Sequence, residues 1–507
     1  MSITHVDLRR GAYHDSVTLL QISRTVADVH GVEAAQVAMA TELNVEVLSG
    51  MGFDVPEGAG ANDLVVAVRA ADEEGVAAGI AAAEAALSAK SATPSGGFGD
   101  APPPRTTAAA IRAGAAEIAL ISVPGRYAAT EALDAIGAGA SVMLFSDNVS
   151  VEDEVMLKDA AASADVLVMG PDCGTAVVGG VALGFANVVT AGPIGLVAAS
   201  GTGAQQIMCL LDAAGVGISH CLGVGGRDLK TAVGGRSTRQ ALAALAADEA
   251  TTSIVVVSKP PDEEVLSDLE SYAAGLGLPV RWATLGAGRP DLTTALESVL
   301  EAEGRAVPEW PAWVADGDPE PGSVGGSLRG LFCGGTLADD AMLLAAEVVG
   351  DIRSNIPLRD DLALGSDLRH DGHLVIDFGD DGLTQGRAHP MIDPSLRMER
   401  IAAEAADPSC GVLLLDLVLG YGAHQDPAGE LADAIRSAKA TAGAEQQSTK
   451  RSGTARALPV VVSVTGTESD PQGLTRTAET LVAAGASVFL SNRDATRHAL
   501  SFLGSTR

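Results

Sequence analysis

Aromatic residues are scarce in this chain: they make up 3% of 507 residues, although 47% are hydrophobic. A core of that composition is built from Ala, Val, Leu and Ile, the residues of buried parallel strands and of the helices that cover them. Positive charge is short as well, with 33 Lys and Arg against 65 Asp and Glu, for a formal net charge of -32. Such a field repels phosphate backbones and anionic lipid, which excludes nucleic acid and membrane surfaces as partners. A small anionic metabolite stays admissible, because backbone N–H groups at a helix N-terminus attract anions locally. The five cysteines, Cys173, Cys209, Cys221, Cys333 and Cys410, show no CxxC spacing. An odd, scattered set suits a reducing compartment and argues against a disulfide framework or structural zinc. No run of about eighteen apolar residues occurs, and the opening MSITHVDLRRGAYHDS has no apolar stretch, so a cytoplasmic protein is expected.

Glycine and proline mark the divisions. Ser91–Arg105 and Arg305–Ser327 read as linkers and cut the chain into blocks 1–90, 106–304 and 328–507. Thr441–Arg456 is polar and reads as a loop insertion. Block one alternates strand-like runs (Ile3–Leu8, Ala35–Met39, Leu64–Val68) with helical patterns, as a small α+β unit does. Blocks two and three repeat a strand then a helix, from EIALISV and SVMLFS to PVVVSVTG and ASVFLS. That alternation demands α/β units with doubly wound parallel sheets. In such sheets ligands collect where loops leave the carboxyl ends of strands.

The sharpest loop is Gly195-Leu-Val-Ala-Ala-Ser-Gly-Thr-Gly203, a strand entering a turn and then a helix. Gly201 and Gly203 let backbone approach an anion, and Ser200 and Thr202 add hydroxyl donors to the helix dipole. A tight βα corner with an N-cap reads equally from the same residues. Gly225 and Gly226 open a second loop, in which Arg227 offers a planar donor fork for a carboxylate or phosphate. Gly334, Gly335 and Thr336 repeat the anion logic in block three. Asp147, Asn148, Asp172 and Lys259 end other strands, with helix capping the alternative for Asp147. Arg387 and His389 lie on loop-like sequence, and His389, between Arg387 and Asp393, is the histidine best suited to acid–base or phosphoryl-accepting work. Cys173 has no nearby histidine to activate it, and buried thiols are common. No carboxylate set has metal-ligand spacing, so Mg²⁺ would need Asp380, Asp381 or Asp393 together with a phosphate.

Read in order, VPGRYAATEALDAIGAG (123–139), MGPDCGT (169–175), GLVAASGTG (195–203), GVGGRDL (223–229) and VVSKPP (256–261) resemble the succinyl-CoA ligase α-subunit over roughly 115–300. Over the whole length, GAYHDSVTLL, FSDNVSVEDEV (145–155), CGGTLADDA (333–341), HPMIDPSLR (389–397) and VTGTESDPQ (464–472) resemble the FdrA family of acyl-CoA-synthetase-like proteins. The resemblance implies a Rossmann-like CoA-binding-type unit at 106–190 and a flavodoxin-like ligase-CoA unit at 191–304. It also implies a second flavodoxin-like unit at 328–507, similar to the carboxy-terminal domain of the ligase β-subunit.

Two departures shape the expected chemistry. The ligase's glycine-rich CoA turn has no counterpart ahead of residue 115, and the interval 259–304 contains no histidine where the ligase carries its phosphorylated one. No ATP-grasp module is evident, so ATP would act through a partner. The surviving motifs imply direct transfer of an acyl or carbamoyl group to or from phosphate, with no tightly bound cofactor. As in FdrA relatives linked to oxamate carbamoyltransferase, oxalurate and phosphate would give oxamate and carbamoyl phosphate. Ser200–Gly203, Gly225 and Gly226 would hold phosphate. Arg227 and Arg387 would pair with the oxamate carboxylate. An ADP-forming acyl-CoA synthetase working with partner subunits, or a non-catalytic scaffold, are the competing readings. A homo- or hetero-oligomer is expected from the ligases.

Overall fold

The computed structural model describes residues 2–12, 14, 16–56, 58–60, 62–91, 104–384, 388–448 and 457–504. Four sheets follow one another along the chain. The first is antiparallel, with Leu64–Ala70 paired between Ile3–Arg9 and Val32–Met39. Its central strand is buried on both faces, by Leu19, Ile22 and Val26 on one side and Leu48 and Phe53 on the other. This is the small α+β unit that block one predicts.

The second sheet has three parallel strands, Ile118–Ile121, Ser141–Leu144 and Val168–Met169, wrapped by the helices Thr107–Gly114, Gly125–Gly137 and Val151–Ala164. The third has six, in the order Val280–Thr284, Ser253–Ser258, Ala191–Ala199, Ile218–Gly223, Thr175–Val178, Val181–Gly184. All are parallel except the last two, which form a hairpin on the edge. That hairpin is absent from the sequence reading, although TAVV-GG-VALG carries the Gly-Gly turn signal. Because it joins the third sheet, that sheet begins before the boundary expected at 190/191.

The fourth sheet is parallel over Ser487–Phe489, Val460–Thr465, Cys410–Val418, Ser327–Phe332, Leu374–Asp377 and Arg353–Ser354. A seventh strand, Ala312–Trp313, adds antiparallel to its edge. The segment Arg305–Ser327 is therefore sheet edge rather than simple linker. The helix Pro427–Ser448 likewise absorbs the first half of the expected loop insertion Thr441–Arg456, whose residues 449–456 lie outside the described residues, as do 92–103 of the first linker.

Alternation along the third sheet fixes how the units meet. Val197, Ile254 and Val256 face the helices Arg236–Ala247 and Glu263–Ala273, while Leu196, Val255 and Val257 face Gly201–Ala213 and Leu292–Ala302. Gly201–Ala213 packs on the fourth-sheet strand Val460–Thr465 and Leu292–Ala302 on the helix Asn492–Phe502, so the two larger units share one hydrophobic cluster. Gly203 to Leu211 are all buried in that seam. Polar bonds register it: Gln205 donates to Asn187, Asn187 to Asp470, Gln206 to the Leu490 carbonyl and the Leu292 amide to Asp340.

Candidate functional site

The seam brings two helix N-termini face to face. Ser200 leaves its strand in extended conformation, and its Oγ accepts from the Gly203 amide at 3.0 Å, capping the helix Gly201–Ala213. The helix Gly335–Val349 starts at Gly334 with no side-chain cap. The hydroxyls of Ser200 and Thr336 meet at 2.6 Å, both buried. Thr202 lies against Gly334, where an added β-carbon would sit 3.0 Å from it. At Gly335 a β-carbon would come within 2.5 Å of the Asp377 carboxylate and 2.7 Å of Lys259 Nζ, so only glycine leaves those groups room. Two sets of N-terminal amides thus converge on one spot, with a lysine beside them.

Asp416 sets the second turn. Its carboxylate accepts from the Cys333 and Gly334 amides, both at 2.8 Å, and from Arg397 Nη1 at 2.8 Å, while Arg397 Nη2 donates to the Asp416 carbonyl at 2.7 Å. Both side chains are buried. Neither residue is singled out in the sequence reading, although Arg397 closes the motif HPMIDPSLR; the available signal was an aspartate inside the otherwise apolar run VLLLDLVLG.

The glycine loop forms the opposite wall. Gly225 has φ +87°, and a β-carbon there would strike the Pro171 carbonyl at 2.6 Å, so the loop lies directly on the cis Gly170–Pro171 bond. Gly226 is exposed and open. Arg227 is half exposed; its Nη2 donates to the Val149 carbonyl at 2.8 Å and pairs with Glu154 at 2.9 Å. Beneath it Lys158, fully buried, donates to Glu154, Asp228 and the Val224 carbonyl at 2.7, 2.7 and 3.0 Å. This buried network clamps the loop to the helix Val151–Ala164, and sequence reasoning missed it because both partners look like ordinary surface charges.

Asp147, Asp172 and Asp381 approach closely enough to repel one another, and Asp172 also feels Lys259 and Arg227. Asp172 is exposed to water, yet the protein crowded around its carboxyl and the like charges of Asp381 and Asp147 push it up to about 7. Burial raises Asp377 to about 7 and Asp339 to about 6, with Lys259 opposing in both. Asn148, exposed at φ 54°, shares the Asp147 loop.

His389 departs from its expected acid–base role. Burial lowers it to about 4, its Nδ1 accepts from the Met391 amide at 3.3 Å, and its ring tilts against Phe185. A neutral ring with Nδ1 engaged and its proton on Nε2 presents no lone pair to phosphorus. Arg387 lies outside the described residues. The five cysteines are buried and form no disulfide among the described residues, and burial lifts Cys173 to about 12, far from a thiolate nucleophile. Among the described residues no group of three or more His, Cys, Asp or Glu is arranged for a metal, and no helix is long and apolar enough to cross a membrane.

Residues 1–103 match the AllF, heavy metal-associated domain and residues 331–502 match CoA-ligase. The first match holds no cysteine, the earliest being Cys173. The protein YahF of Escherichia coli K12, described as uncharacterized, is 37% identical over 503 residues, 94% of each chain. The ADP-forming succinate–CoA ligase subunit alpha 2 of Archaeoglobus fulgidus is 29% identical over 226 residues, 41% of this chain and 77% of its own. Among solved structures, a dinucleotide-forming acetyl-coenzyme A synthetase 1 of Ca. Korarchaeum cryptofilum, determined with phosphate and ADP, aligns over 76% of this chain and 84% of its own. Its identity is 14% and its TM-score 0.28, so the site rests on this chain's own residues.

Proposed function

This chain belongs to the family of YahF, the FdrA-like family of CoA-ligase type, and on that premise we propose that it transfers an acyl or carbamoyl group to or from phosphate held between the facing turns. The observation that carries the reading is the Ser200–Thr336 contact, which brings two helix N-termini together beside Lys259, a setting suited to an anion. In the favoured case a phosphate oxygen attacks the carbamoyl carbon of oxalurate. The C–O bond forms, the C–N bond breaks, and the departing oxamate nitrogen takes a proton. Asp172, with its carboxyl near neutral pKa in the cleft, is suited to deliver that proton. Arg227 would pair with the oxamate carboxylate through Nη1 and Nε, which have no partner among the described residues.

The family implies CoA, and the residues present do not fit it through a ligase-type turn, since the helix Thr107–Gly114 leads into the first parallel strand without a glycine cluster. No step here is routed through CoA. The CoA-ligase match favours a second reading, an ADP-forming acyl-CoA synthetase completed by partner subunits. Purified chain, alone and with candidate partners, is assayed for carbamoyl phosphate from oxalurate and phosphate, and separately for ADP from acid, CoA and ATP. Carbamoyl phosphate made without CoA and lost in Arg227→Ala and Ser200→Ala supports the first reading. CoA-dependent ADP release replaces it with the second, and silence in both leaves a scaffold.

A further inference from the structure

A cavity of about 570 Å³ lies apart from the facing turns. It runs along the outer strand of the second sheet, Ile118–Ile121, which pairs on one side only among the described residues. Leu120 and Ile121 form one wall; Phe145, Phe185 and Ile392 form the others. The Phe145 and Phe185 rings lie 5.6 Å apart, tilted at 41°, and present an aromatic surface in a chain with few aromatics. Three different units therefore border one apolar volume, open to solvent along the outer strand. The first unit fixes the last wall, since Arg24 Nη1 donates to the Ile392 carbonyl at 3.1 Å and Arg24 is ion-paired with Glu430.

One end of the cavity is polar. Thr107 Oγ1 donates to Glu131 Oε2, and among the described residues Oε1 of that carboxylate has no partner. We infer that this cavity binds a small molecule with an uncharged apolar body and a hydrogen-bond-donating, cationic end. The volume is that of a pocket for an organic molecule of moderate size. Its walls reward burial of an apolar body. The free carboxylate oxygen at the polar end selects a donor and rejects another carboxylate. The inference stands on the cavity and does not depend on the transfer chemistry.

Calorimetric titration of the full chain with hexylamine, hexan-1-ol and hexanoate tests it. Hexylamine is expected to bind about tenfold or more tightly than hexanoate, the scale of one hydrogen bond to a charged group, with the alcohol between. Ala119→Trp, which fills the cavity from the outer strand, removes saturable binding of amine and alcohol. Glu131→Gln keeps the alcohol and cancels the advantage of the amine. The protein's overall negative field acts equally in wild type and Ala119→Trp, so their difference isolates the cavity. Absence of saturable binding, equal binding of all three compounds by wild type, or undiminished binding by a folded Ala119→Trp overturns the inference. The wild-type ranking decides even if the variant fails to fold.

Discussion

A double-mutant cycle at Ser200 and Thr336 tests whether the two helix N-termini meet as described. Ser200→Ala removes the cap of the helix Gly201–Ala213, a loss of about 1 kcal/mol. It also strands the Thr336 hydroxyl, 1% exposed, at a cost of about 1–3 kcal/mol. Thr336→Val leaves the Ser200 cap in place and loses only the 2.6 Å contact, about 1–2 kcal/mol. If the contact is real, the double variant is destabilised by less than the two single losses combined, with a coupling of about 1–2 kcal/mol. Because the two larger units share one hydrophobic cluster, native-state hydrogen exchange of the helix Gly201–Ala213 reads their joint opening. Additive losses, within about 0.3–0.5 kcal/mol, would show that the hydroxyls do not touch and would remove the basis for a shared anion site.

The raised carboxyls give a pH dependence of definite sign. Asp172 and Asp377 hold protons in the native chain that the unfolded chain releases, so their contribution to stability falls as pH climbs from about 4 to about 7; Asp377→Asn should flatten that slope in urea denaturation. Sulfate, which does not titrate in this range, should bind the facing turns more tightly at pH 6 than at pH 8, as isothermal titration would show. Lys158→Met leaves Asp228 buried without its cation, and Glu154 with Arg227 alone, and should cost about 3–5 kcal/mol in the same denaturation assay. Arg227→Lys retains the charge but not the fork, and should leave carbamoyl phosphate formation at least about tenfold slower while the melting temperature hardly moves.

The strand-end turns were legible because their chemistry is local. Ser200–Gly203 and Gly334–Thr336 each carry small residues between an apolar strand and a helix, and that pattern needs no partner to be seen. Their opposition was not legible, since it depends on Gly203 to Leu211 being buried between two sheets and on Thr336, 136 residues from Ser200. Asp416 and Lys158 stayed hidden for a related reason: a buried charge is recognisable only when its partners are known, and Arg397 and Asp228 lie 19 and 70 residues away. His389 misled because flanking Arg387 and Asp393 suggest an exposed loop, whereas burial beside Phe185 keeps the ring neutral. The hairpin Thr175–Gly184 has no counterpart among the strands read from the sequence, although its glycine pair marks it.

Both halves of the proposed anion site are carried on one polypeptide, tied through the buried helix Gly201–Ala213. Assembly of that site is therefore unimolecular. In a two-subunit arrangement each half would find the other at a rate and occupancy set by protein concentration, and dilution would empty the site. Here the covalent tether and the common core hold the halves at a fixed effective concentration, so anion affinity should be the same at nanomolar and micromolar chain. Whatever larger complex forms around it, this chain brings its own finished cradle.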